Sequence, residues 1–106
     1  MSDWVTVAGE GDIPPGNFRV SDVDGASIVV FNIGGGYSAI EDVCTHDGGQ
    51  LTGGHVEGDV IVCPRHGARF CIRTGEALSA PAYEPTATFP VRVEEGEIQV
   101  RDTRWD

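Results

Sequence analysis

Two short segments carry the residue types that do chemistry: Cys44-Thr45-His46 and Cys63-Pro64-Arg65-His66. Each offers one thiolate and one imidazole, so together they present four metal ligands of mixed softness, separated by residues 47–62. A structural zinc site usually draws its ligands from one C-x(2-4)-C pair and a second pair of cysteines or histidines. Here each pair mixes Cys with His, and the first has a single intervening residue. That arrangement departs from the zinc pattern and suits an iron–sulfur centre in which histidines replace two of the thiolates.

The order C-x-H, then C-x-x-H-G, continued by His66-Gly67-Ala68-Arg69-Phe70-Cys71-Ile72-Arg73-Thr74-Gly75, resembles the Rieske [2Fe-2S] family. The resemblance is strong over about 40–90 and implies one [2Fe-2S] cluster as cofactor, with Cys44 and Cys63 on one iron and His46 and His66 on the other. It also implies an all-β fold: a small antiparallel β sandwich of stacked sheets. A cluster-binding subdomain over about 42–85 would consist of two loops plus a proline loop. The proline loop is Ser79 to Pro85, and Pro81 is the expected cover residue. A stiff apolar loop excludes water at small entropic cost.

At 106 residues the chain suits a single domain spanning 1–106. An oxygenase would also need a mononuclear iron site of two His and one carboxylate. The only other histidine is His55, so the chain is expected to carry electrons and not to be an enzyme. Cys71 has no partner for a disulfide, the opening residues carry neither a basic segment nor an apolar run, and no stretch approaches membrane-spanning length. The expectation is a cytoplasmic monomer with no membrane attachment.

The net charge of −10 comes from seventeen acids against seven basic residues, all arginine, which excludes nucleic acid and favours a basic protein partner. The charge is uneven. Residues 44–73 carry Asp47, Glu57 and Asp59 against Arg65, Arg69 and Arg73, so the ligand-bearing segment is neutral between acidic flanks.

The elements that must position the ligands read as short strands. Trp4 to Val7 is followed by a proline-containing loop to Asn17, then by Phe18 to Val23, with Phe18 and Val20 on one face. Asp24-Gly25 signals a tight hairpin into Ile28-Val29-Val30-Phe31, a run expected to be buried on both faces. Gly34-Gly35-Gly36 turns the chain into Tyr37 to Ile40, which delivers Cys44. In Asp47-Gly48-Gly49-Gln50 the glycines are expected to aim backbone N–H groups at the cluster sulfurs, whereas Gly53-Gly54 read as ordinary turns. His55 is read as a loop residue. Asp59 to Val62 feeds Cys63, Gly67 to Ile72 leads out, and Thr74-Gly75 closes a second hairpin. Phe89 to Val93 and Ile98 to Arg101 flank a turn at Glu95-Gly96. Cys71 is expected to be a buried, inert thiol, and Trp4 and Trp105 to pack on the scaffold.

Respiratory-complex members of the family carry two further cysteines, joined between the cluster loops, where this chain has Gly49 and Arg65. They also carry a serine and a tyrosine that donate to cluster sulfurs, where this chain has Ala68 and Phe70. Fewer donors leave sulfur charge less stabilised, which implies a low reduction potential. Low-potential members of this length resemble the ferredoxin components of bacterial aromatic-ring dioxygenase systems, used in aromatic hydrocarbon catabolism. The implied partners are an NADH-dependent flavoprotein ferredoxin reductase and a terminal non-heme iron oxygenase. Three other readings stay open: a stand-alone ferredoxin of another pathway, a nitrite-reductase-like small subunit, and a non-redox binding module with a structural metal.

Overall fold

Glycine, proline and Asp-Gly punctuation divides the chain into short β-prone runs, and ten of them become strands. In the computed structural model, which describes residues 3–104, these are β1 (Trp4–Gly9), β2 (Phe18–Val23), β3 (Ala26–Ile33), β4 (Gly36–Glu41) and β5 (His55–Glu57), followed by β6 (Val60–Val62), β7 (Arg69–Cys71), β8 (Thr88–Phe89), β9 (Val91–Glu94) and β10 (Glu97–Arg101). All pairings are antiparallel, in three sheets ordered β1-β10-β9, β2-β3-β4-β8 and β5-β6-β7. Among the described residues there is no helix, and so none long and apolar enough to cross a membrane.

The layering follows from β3. Its centre, Ile28-Val29-Val30-Phe31, lacks apolar–polar alternation, so both faces need cover, and all four residues are buried. Ile28 and Val30 pack with Ile98 and Val100 of the first sheet and Ile13 of the preceding loop. Val29 and Phe31 face the other way, onto Ile61 and Phe70 of the third sheet and onto Cys44 and Cys63. The second sheet is thus the middle of three layers, and the ligand cysteines belong to one of its two cores. Each such apolar side chain contributes about 1.5–3 kcal/mol by leaving water.

Hairpin register is set by backbone geometry that few residues adopt. Asp24 (φ 52°) and Gly25 (φ 81°) join Val23 to Ala26, and Glu95 (φ 51°) and Gly96 (φ 79°) join Glu94 to Glu97. Two consecutive positive φ angles match the right-handed twist of the flanking strands.

Several expectations change in the folded chain. Pro90 cannot donate to a ladder, and it divides the expected Phe89–Val93 strand: β8 pairs with β4 in the middle sheet, while β9 pairs with β10 in the first. His55 is not in a loop but opens β5, opposite Val62. A three-residue strand is too short to show a period, so pairing alone creates it. β2 lies at a sheet edge, where Phe18 and Val20 share a face that is about 40% exposed (44% and 42%). Phe18 still stacks on Phe31, at 5.7 Å between ring centroids. Trp4 packs as expected, under the Arg92 guanidinium at 4.4 Å. Trp105 lies outside the described residues.

Gly53 and Gly54 separate into two uses. Gly53 has φ 97° with open space around it, a turn glycine as read. A methyl group on Gly54 would run into the Val62 carbonyl and lie 3.0 Å from the Leu51 carbonyl, and neither backbone atom can swing aside. Gly54→Ala is therefore expected to cost about 1–3 kcal/mol. Urea unfolding should show a lowered midpoint at unchanged slope; an unmoved midpoint would contradict this close packing.

Candidate metal centre

The two ligand segments fold into the same local structure. In the first, the Cys44 N–H donates to the Gly49 carbonyl at 2.7 Å and the Cys44 carbonyl accepts from Gly48 N–H at 2.7 Å. In the second, Cys63 N–H donates to the Ala68 carbonyl at 2.7 Å and the Cys63 carbonyl accepts from Gly67 N–H at 3.1 Å. Gly48 and Gly67 both have φ 76°, a conformation that glycine adopts without penalty. The shared pattern is a cysteine with a glycine four residues on, legible in the sequence as Cys44…Gly48 and Cys63…Gly67 but not singled out above.

This frame brings the four candidate ligands together. Cys44 and Cys63 are buried at the base (0% and 2% exposed), and their sulfurs, with an Asp47 oxygen, lie within 4.8 Å of one another. His46 and His66 stand exposed above them with ring centroids 5.0 Å apart and planes at 81°. Burial pushes the Cys44 thiol pKa up; backbone hydrogen bonding from His46 pulls it down, and the hydrogen bond and charge of Cys63 push it up again. Two thiolates side by side in an apolar core need a cation, which is what ligated iron provides. The donor set, two buried sulfurs beneath two exposed imidazoles, fits a cluster with chemically different irons.

The loop glycines spend their N–H groups differently from the expectation. Gly48 bonds the Cys44 carbonyl and Gly49 bonds the Asp47 carboxylate at 2.9 Å, so neither N–H is left for a sulfur. The backbones of His46 and Asp47, not the glycines, are what draw the Cys44 thiol pKa down. Asp47 is held well below the usual carboxylate range, first by its hydrogen bond to Arg65 and then by Gly49 N–H. Engaged in this way, it is not free to serve as a metal ligand.

Sequence reasoning missed Asp42. Buried at the end of β4, its carboxylate accepts from Leu51 N–H and Thr52 N–H, each at 2.8 Å, and from the Thr52 hydroxyl at 2.6 Å. It closes the base of the first ligand loop, and nothing at positions 50–52 advertises that use. The proline loop is pinned at both ends: the Thr45 hydroxyl donates to the Glu84 carbonyl at 2.7 Å, and Arg69 N–H donates to the Ser79 hydroxyl at 3.1 Å. Thr45, His46, Pro81, Tyr83 and Glu84 line an open groove of about 420 Å³ beside the histidines. Pro81 is therefore at the site, as expected, with Tyr83 fully presented next to it at 84% exposure.

Ala68 and Phe70, neither of which carries a hydroxyl, are both fully buried in the core that contains the cysteines. His55 is not brought to the site; its imidazole pairs with Glu57 at 3.3 Å. Cys71 is a free thiol in β7, half-buried where full burial was expected, because it follows the fully buried Phe70 and alternation along the strand turns it to the other face.

Comparison with known proteins agrees with this geometry. The chain is 41% identical over 98 residues to ferredoxin CarAc of Metapseudomonas resinovorans, covering 92% of each. It is 43% identical over 88 residues to the 3-phenylpropionate/cinnamic acid dioxygenase ferredoxin subunit of Escherichia coli K12, covering 82% of each. Among solved structures, the ferredoxin of carbazole 1,9a-dioxygenase from Nocardioides aromaticivorans IC177 superposes with a TM-score of 0.85 at 33% identity, over 92% of this chain and 95% of that one. A chain in the complex of reduced oxygenase and oxidized ferredoxin of carbazole 1,9a-dioxygenase superposes with a TM-score of 0.86 at 39% identity, over 92% of both. Residues 3–90 match the Rieske [2Fe-2S] domain, and with that match, the all-β layers and the paired Cys-His loops, the chain belongs to the Rieske [2Fe-2S] family.

Proposed function

We propose that the chain is the electron-carrying ferredoxin of an aromatic-ring dioxygenase system, a single domain over 1–106 whose cluster is held by Cys44, His46, Cys63 and His66. The observation that carries this reading is the pair of exposed imidazoles over two buried thiols. When bound, the [2Fe-2S] cluster takes up and releases one electron at a time. The chain's residues do the rest. Cys44 and Cys63 keep the base dry, and the two glycine-closed loops hold the ligand backbones in place. His46 and His66 present their rings to a partner without any loop having to move. The chain makes and breaks no substrate bonds itself.

In this reading an NADH-dependent flavoprotein reductase supplies the electrons and a terminal non-heme iron oxygenase accepts them, with the ferredoxin acting as a cytoplasmic monomer between them. Dioxygenase ferredoxins of similar length among its relatives support the assignment. The test is NADH-dependent product formation when the purified chain is combined with a flavoprotein reductase and an aromatic-ring oxygenase. Reductase and oxygenase that turn over equally well without it would sink the reading.

Docking should divide between contact and long-range charge. Pro81 and Tyr83 line the groove beside His46, and Pro64 lies two residues before His66, all with exposed or half-exposed apolar surface, whereas the acids of the flanking segments lie outside the neutral ligand segment. Charges more than about 10 Å apart are largely screened at 0.1 M salt. Raising ionic strength should therefore slow association with the oxygenase by about tenfold or more while leaving dissociation nearly unchanged. Reversing Glu94 and Glu95 should flatten that dependence, and Pro81→Gly should weaken the complex at every salt concentration. Stopped-flow reduction of the oxygenase across a salt series separates these effects; dissociation that climbs steeply with salt would place acids inside the contact.

A further inference from the structure

Arg65 and Asp47 come from different ligand loops and meet over the site. The Arg65 guanidinium donates to both carboxylate oxygens, through Nε to Oδ2 and through Nη2 to Oδ1, the latter at 3.0 Å. Two parallel bonds of this kind give a charged pair a defined geometry as well as strength. Asp47 is fixed from its own side too, since Oδ1 accepts Gly49 N–H at 2.9 Å. Gly49 completes the arrangement. A Cβ there would lie 2.6 Å from both Cζ and Nη2 of Arg65. Gly49 is not among the residues with positive φ, so its backbone would accept alanine, and the obstacle is the guanidinium itself. Glycine at this position is a seat for Arg65, not a turn requirement.

We propose that Arg65, seated on Gly49 and forked onto Asp47, is a positioning clasp that holds the two ligand loops together and slows loss of the cluster. The inference rests on the ligand set proposed above. Asp47 directly follows His46 and Arg65 directly precedes His66, so the clasp ties the loops at the exposed histidine end. The base is secured by burial of Cys44 and Cys63, but apolar packing does not reach the tip. Opening either loop therefore means breaking the fork first.

The test is chelator-driven bleaching of the holoprotein, followed by visible absorbance, with iron and sulfide counted before each run. Arg65→Gln, Asp47→Asn and Gly49→Ala should each bleach about fivefold faster, an exposed charged pair's share of a barrier. Arg65→Gln combined with Gly49→Ala should be no faster than Arg65→Gln alone. Salt should speed bleaching of the unmodified chain, speed that of Gly49→Ala less because its fork is partly lost, and leave Arg65→Gln unmoved. Gly49→Ala is decisive because it removes no charge and displaces only the end of a flexible side chain. Bleaching of Gly49→Ala at the unmodified rate, or opposite effects of Arg65→Gln and Asp47→Asn, would overturn the clasp while leaving the ligand set intact. Lack of iron and sulfide in the unmodified chain would overturn the ligand set, and the clasp with it.

Discussion

Cys44→Ser and Cys63→Ser will each give a colourless protein, whereas the unmodified chain will purify red-brown with two irons and two acid-labile sulfides, as a [2Fe-2S] domain requires. The effect is all-or-none because the two sulfurs are the buried part of the donor set and share one apolar core with Phe31, Ile61 and Phe70. Serine oxygen is a poor, hard ligand for a cluster iron, and a hydroxyl at either buried position is left to find a new hydrogen-bond partner. Loss of the metal should loosen the β5-β6-β7 layer and its loops, because bound metal contributes folding free energy where the ligands are gathered. The other face of the middle sheet packs against β1 and β10 without help from the cysteines and should persist. Metal analysis and visible spectra check the first point, and hydrogen exchange checks the second. One zinc and no sulfide in a folded, colourless, unmodified preparation would refute the assignment.

Ala68→Ser and Phe70→Tyr will raise the reduction potential, together by on the order of 100 mV. Both positions are fully buried beside the cysteines, and Ala68 is tied to Cys63 by the hydrogen bond from Cys63 N–H. A hydroxyl introduced there has no water to bond and must donate inward, where the negative sulfurs are the available acceptors. Each new donor stabilises the extra electron. The unmodified chain should accordingly lie toward the low end of the family's range, at about −150 mV rather than about +300 mV. Ala68→Ser is the cleaner variant, since adding an oxygen to Phe70 crowds a filled core and costs about 1–3 kcal/mol. Protein-film voltammetry at neutral pH decides the matter. A positive potential in the unmodified chain, or substitutions that leave it unmoved, would show that these two positions do not tune the centre.

What could be read from the chain alone was whatever depends on residue identity over a few positions. Mixed Cys-His pairs are four donors wherever they occur, so Cys44, His46, Cys63 and His66 declare their chemistry without a fold. Asp24-Gly25 announces a hairpin because few residues other than glycine, asparagine and aspartate tolerate positive φ, whereas at Glu95-Gly96 only the glycine carries that signal and Glu95 is held at φ 51° by the turn. Ile28 to Phe31 declares a doubly covered strand because no face of it is polar. Tertiary structure decided the rest, for one physical reason: the use of a backbone group or a missing side chain depends on what arrives beside it from far along the chain. Pro90 became a corner because β4 and β10 lie on either side of it in different sheets. Gly54 became a close contact because the Val62 carbonyl lies where its Cβ would be. Asp42 is a loop anchor only because Leu51 and Thr52 return to it. Gly49 looked like a donor of N–H groups to sulfur and proved to be the place where an arginine from the second loop comes to rest, a relation across sixteen positions that no local pattern encodes.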